Sequence, residues 1–256
     1  MSNNKQNLWI FGDSFACEQN PNYNYENSSE WTWYKQLKNL LPDCTAGEGR
    51  VYSQFGVSNE WLFSMLRHNH SMIEPGDYVV LVTTEAGRRW FFKDLPHQAN
   101  IRNIALTEQH FHGNKPLDKS KLKAVKSYIT HLNDNPILDE CYHETLIGWA
   151  AHLAIMMSWK LCVIPAFETT PLHSAFGSLN GVCNGEFVDV KLRDYFYSVS
   201  SWNDRRICHM TKSNHTVLAQ KIADHYATGE RINLDDGFVK HIYKTKDDAD
   251  RFDPCL

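Results

Sequence analysis

The chain has 256 residues, 42% of them hydrophobic and 22% charged, so it is long enough to bury a full core and has the composition of an ordinary globular protein. A formal net charge of −4 offers no basic field for nucleic acid, and seven cysteines without paired spacing predict reduced thiols, not a disulfide framework. The polar opening Met1–Asn7 predicts no signal peptide and no apolar run is long enough to span a bilayer, so a cytoplasmic protein with no membrane partner is expected.

The first element is the apolar run Leu8–Phe11, which stops at Gly12-Asp13-Ser14. Four consecutive apolar residues suit a strand buried on both faces of a parallel sheet. Gly12 allows a tight exit, and Asp13 and Ser14 favour a turn into a crossover helix. A loop over 17–29 leads to a helix opened by Ser29-Glu30-Trp31, with Trp33, Leu37, Leu40 and Leu41 on one face and Pro42 as its stop. Residues 44–54 are weakly patterned. Gly56 then turns the chain into a helix capped by Ser58 or Asn59, with Leu62, Met65 and Leu66 inward.

After the turn Glu74–Asp77, Tyr78–Thr84 is the clearest buried strand, followed by Arg88 and Arg89. Two strands with a helical crossover imply a parallel pair. Residues 93–116 read as an irregular insertion. His68 with His70, and His110 with His112, have His-x-His spacing, but no Cys or acidic ligand set surrounds them, so neither a metal nor another cofactor is expected. Lys119–Leu132 reads as an amphipathic helix. A second helix over 137–160 places Ile137, Leu138, Cys141, Thr145, Leu146, Trp149, Leu153 and Met156 on one stripe, with Trp149 in the core, and feeds a strand over 161–167. Residues 168–203 read as a substrate-side insertion or lid. A last helix, capped by Thr211 or Ser213, buries Val217, Leu218, Ile222 and Tyr226 and carries His215 in its first turn; 228–256 is a polar extension. Alternating strands and helices predict one α/β domain over 1–256, three-layered around a central parallel sheet. Trp31, Trp33, Trp61, Trp90 and Trp202 lie near the motif loops and are the tryptophans placed to touch a substrate.

Gly12-Asp13-Ser14-Phe15, at the start of the chain and after a buried strand, resembles the first block of the SGNH/GDSL hydrolases. Gly56 and its following helix resemble the second block, and His215 stands where the family places its catalytic histidine. The wording His209-Met210-Thr211 with Asn214-His215 is similar to SGNH-like proteins of tailed phages, which would make virion association a second location. The resemblance implies a flavodoxin-like strand order, a second strand within 44–54, and no cofactor. The third-block asparagine is absent, with Thr84 nearest its position, and Lys212 replaces the aspartate expected three residues before the histidine.

The chemistry implied is that of a Ser14 nucleophile and a His215 base, since a serine hydroxyl needs a neighbouring group to take its proton. The backbone N–H groups of Ser14 and Gly56 would hold the oxyanion, with Thr84 or Asn59 as a side-chain donor and Asp13 in support. Asp204 and His209 are the nearby candidates to orient the imidazole, and Arg88 or Arg89 would supply positive charge toward the substrate. The expected reaction is hydrolysis of a small-molecule or carbohydrate carboxylic ester, such as an O-acetyl group on a sugar. Two alternatives are a decayed SGNH-fold protein serving as a virion or carbohydrate-binding component, and a thioesterase or lysophospholipase with an acyl groove among 168–203. The oligomeric state is not legible in the sequence.

Overall fold

A computed structural model describes residues 5–16, 32–44, 50–54, 57–90, 119–132, 135–166, 210, 212–234 and 236–238. Strands β1 (Leu8–Gly12), β2 (Arg50–Ser53), β3 (Tyr78–Thr83) and β4 (Lys160–Pro165) form one parallel sheet in the order β2-β1-β3-β4. Ile10 lies opposite Val51 on one side and Val80 on the other, and Val80 lies opposite Cys162. The helices among the described residues are α1 (Trp33–Leu40), α2 (Asn59–Asn69), α3 (Lys119–Leu132), α4 (Pro136–Met157) and α5 (Lys212–Thr228). The α/β class and the flavodoxin-like order are as expected.

Strand residues alternate between the two faces of a sheet, and this alternation builds the layers. Leu8, Ile10, Val80, Val82, Cys162 and Ile164 pack with Trp33 and Leu37 of α1 and with Leu218 and Ile222 of α5. Trp9, Phe11, Val79 and Leu81 pack with Leu62 and Leu66 of α2 and with Ala150 and Ala154 of α4. Every residue of β1 and β3 is buried, whereas β2, at the edge, is only partly covered. Burial also pushes the Cys162 thiol up to about 12, so it serves as an inert core group. No described helix is long and apolar enough to cross a membrane.

A buried carboxylate ties the amino ends of the central strands together. Asp77 accepts from the Asn7 backbone N–H (2.8 Å), the Trp9 indole (2.8 Å), the Glu74 N–H (3.0 Å) and the Asn7 amide. These donors come from both flanks of the β1–β3 pair, so the carboxylate sets where the two strands begin.

Three sequence expectations change. In α1, Tyr34 is buried and Leu40 exposed, because the helix begins at Trp33 and its inward face runs through Trp33, Tyr34 and Leu37. Trp33 and Trp61 are core residues, not substrate contacts, while Trp31 and Trp202 lie outside the described residues. In α4 the expected stripe is buried only in part: Leu146 and Leu153 pack against the core, but Ile137, Leu138 and Met156 are 70%, 62% and 68% exposed, and Trp149 is exposed, in a T-shaped contact with Phe63. Asp139, His143, Ala150 and Ala154 are buried instead. Apolar residues are spread around this helix without forming one stripe, so periodicity does not choose a face. Two alanines allow close approach to the sheet, and Asp139 and His143 gain polar partners only on that side.

Asp77→Ala is expected to lower unfolding free energy by about 3 kcal/mol or more, since several buried donors lose a charged acceptor. Urea unfolding followed by tryptophan fluorescence checks this; a loss under about 1 kcal/mol would mean water replaces the carboxylate.

Candidate functional site

The chain leaves β1 for β2 on one side and later returns to place β3 on the other, so strand order reverses between β1 and β3. In an open parallel sheet the crevice at such a switch point, outside the carboxyl ends of the strands, is where ligands bind. Asp13 and Ser14 follow β1 there, and Thr84 follows β3.

Gly12 closes β1 where a Cβ would lie 2.8 Å from the Ala16 Cβ and 2.9 Å from the Val82 Cβ. Close approach, more than turn geometry, therefore demands glycine. Ser14 opens a short 3-10 turn, Ser14–Ala16, in which the Ala16 N–H donates to the Asp13 carbonyl at 3.0 Å. The fully buried Asp13 carboxylate accepts from the Phe15 N–H at 3.1 Å and lies 3.5 Å from the Arg88 guanidinium. Burial pushes this carboxyl above the ordinary range, while the Arg88 charge and the Phe15 N–H work against that rise. The buried Thr84 hydroxyl also favours the ionised carboxylate, yet it forms no well-aligned hydrogen bond.

Ser58 is the cap of α2, its hydroxyl accepting from the Trp61 N–H at 3.3 Å. Asn59 is thereby presented to the end of β3. Its Oδ1 accepts from the Thr84 N–H at 2.9 Å, and its Nδ2 donates to the Thr84 carbonyl at 2.9 Å. This pairing fixes the amide orientation, so the contact of Nδ2 with His143 Nδ1 at 2.8 Å has asparagine as donor. Both amide protons of Asn59 are engaged, on Thr84 and His143. His143 was not singled out in the sequence; the available signal was Asp139 and His143, four residues apart on one face of the helix.

Arg89 is held in place by protein groups. Its guanidinium pairs with Asp139, donates to the carbonyls of Ala86 (2.7 Å) and Arg88 (3.1 Å), and lies 3.9 Å from Glu60. Glu60 accepts from the Trp90 N–H, and burial pushes its carboxyl upward. Arg88, one residue earlier, is the arginine that faces Asp13.

His215 lies in the first turn of α5, half-buried, where its Nδ1 accepts from the Trp33 N–H at 3.1 Å. The Trp33 indole in turn donates to the Phe15 carbonyl at 2.9 Å. Trp33 thus links His215 to the turn that contains Ser14. With Nδ1 accepting, the neutral imidazole carries its proton on Nε2. Gly56, Asp204 and His209 lie outside the described residues, as do the insertions 93–116 and 168–203. Among the described residues, no group of three or more His, Cys, Asp or Glu side chains converges to hold a metal.

No family model matches the chain, and no curated protein matches it. Among solved structures it is similar to a member of the lipolytic protein G-D-S-L family from Veillonella parvula DSM 2008, at 12% identity and a TM-score of 0.36. That likeness covers 87% of this chain and 99% of the other.

The Asp13–Arg88 pair yields a signed pH prediction. A carboxyl whose folded value is raised makes the native state hold its proton longer than the unfolded chain, so its contribution to stability falls as pH rises from the ordinary aspartate range through the folded value. Arg88→Met removes the charge that limits this rise. The variant is expected to lose about 3 kcal/mol at neutral pH and to show a steeper decline than wild type as pH rises above the ordinary aspartate range. Urea midpoints over that rise decide it; parallel profiles would show that the Arg88 charge does not act on Asp13.

Proposed function

We propose that the protein is a serine hydrolase acting on carboxylic esters, with Ser14 as nucleophile and His215 as base. The observation that carries this reading is the Trp33 bridge, which brings the first turn of α5 to the turn after β1, at the switch point of the sheet. Ser14 Oγ attacks the ester carbonyl carbon and its proton passes to His215; the alcohol leaves with that proton, and water then cleaves the acyl-serine by the same base. For His215 Nε2 to accept, the ring gives up the Trp33 N–H and carries its own proton on Nδ1. The oxyanion is held by the backbone N–H groups of Ser14 and Gly56, with the Thr84 hydroxyl as side-chain donor. Two observations favour Thr84 over Asn59 in that role: the Asn59 amide protons are already engaged, and the buried Thr84 hydroxyl has no aligned partner. The favoured ester is an O-acetyl group on a carbohydrate.

A second reading, a protein of this fold that binds without turnover, is favoured by one specific observation. The Trp33 N–H on His215 Nδ1 places the neutral ring's proton on the nitrogen that must accept.

Purified wild type is expected to hydrolyse p-nitrophenyl acetate and to be labelled by a fluorophosphonate probe. Ser14→Ala should abolish labelling, and Ser14→Ala and His215→Ala should each lower turnover by roughly a thousand-fold or more. A folded wild type that neither turns over nor labels would overturn the hydrolase and leave the binding reading.

A further inference from the structure

A cavity of about 480 Å³ lies between the start of α2, the residues after β3, and α3, a size within the range of small-molecule sites. Its lining includes Glu60, Arg89, Trp90, Lys121, Ala124 and Tyr128. Glu60 directly follows Asn59, and Arg89 directly follows Arg88, which faces Asp13. Consecutive Cα atoms are about 3.8 Å apart, so the cavity wall starts one residue from the cluster at the carboxyl ends of β1 and β3.

The lining chemistry selects among ligands. Charge in the wall is largely compensated, because Arg89 pairs with Asp139 and approaches Glu60, so no concentrated positive field invites an anion. A long acyl chain would be placed against the Glu60 carboxylate, desolvating it with no hydrogen bond in return. A polyhydroxylated ring meets both demands: its C–H faces cover the rings of Trp90 and Tyr128, and its hydroxyls donate to Glu60 or accept from Lys121 and the Tyr128 hydroxyl. Burial already disfavours the ionised Glu60 carboxyl, and hydroxyl donors would offset that cost.

We propose that this cavity is the binding site for the carbohydrate alcohol of the ester, a short oligosaccharide lying on Trp90 and Tyr128 with hydroxyls on Glu60. The assignment rests on the hydrolase reading for the fate of the ester but is testable without turnover. Ser14→Ala protein, applied to an array of acetylated and unacetylated oligosaccharides, is expected to retain at least one glycan class. Adding Ala124→Trp, which fills the cavity from an exposed helix position, should lower retention by about ten-fold or more at an unchanged melting temperature, and Tyr128→Ala should weaken it as well. Absence of any retained glycan, or retention untouched by both changes, overturns the sugar site. A preference for p-nitrophenyl octanoate over the acetate that disappears in Ala124→Trp also overturns it, by assigning the cavity to an acyl chain. Glycan retention with no ester turnover by wild type keeps the sugar site and overturns the hydrolase, whereas turnover without retention does the reverse.

Discussion

Burial of β1 on both faces is the constraint from which the rest follows. With β2 and β3 hydrogen-bonded on either side and helices packed above and below, residues 8–12 have no open surface. Any chemistry this strand supports has to be expressed at its end. At the amino end the Asp77 carboxylate gathers donors from residues 7, 9 and 74 and holds the strand starts together. At the carboxyl end Gly12 passes so close to Ala16 and Val82 that no side chain fits, and the next residues form the turn at the point where strand order reverses.

That end of the sheet is organised by polar groups bonded mostly to one another. Asn59 reads the backbone of Thr84 as a neighbouring strand would, accepting from its N–H and donating to its carbonyl, and so joins α2 to the end of β3. His143 receives the remaining amide proton and joins α4 to the same point. Arg88 stands over Asp13, while Arg89 points the other way to Asp139 and Glu60. Two adjacent arginines thereby serve different neighbours, Arg88 the turn after β1 and Arg89 the wall of the cavity. A buried network of this kind is stable only when its members are satisfied, which makes the Thr84 hydroxyl, buried without an aligned bond, one exception among the described residues.

Trp33 has a different role, as a connector between distant parts of the chain. Its indole is fully buried and donates to residue 15, while its backbone N–H donates to His215, across 182 positions of sequence. The same bond that brings the imidazole to the site also sets its tautomer. In the proposed hydrolase, proximity and protonation therefore pull in opposite directions, since Nε2 can take the serine proton only after the ring gives up the Trp33 amide.

The sequence by itself determined β1, β3 and their parallel relation, because unbroken apolar runs that end in turn residues are compatible with little else. It also determined that a capped helix follows Gly56, and that His215 falls in the first turn of α5, because capping and period are local properties. What it left to the tertiary structure were choices among equivalent faces and partners. Apolar residues are spread around helix α4 without one stripe, so only docking against the sheet decided that Ala150 and Ala154 turn inward and that Trp149 stays out. Ser58 became the cap because Asn59 was needed by Thr84, a residue 25 positions away. Which arginine faces Asp13, and that His143 belongs to the site at all, depend on contacts between segments far apart in the chain. Such contacts leave no period or spacing in the sequence, since they are made only when the sheet has closed and the polar groups at its edge must find one another out of water.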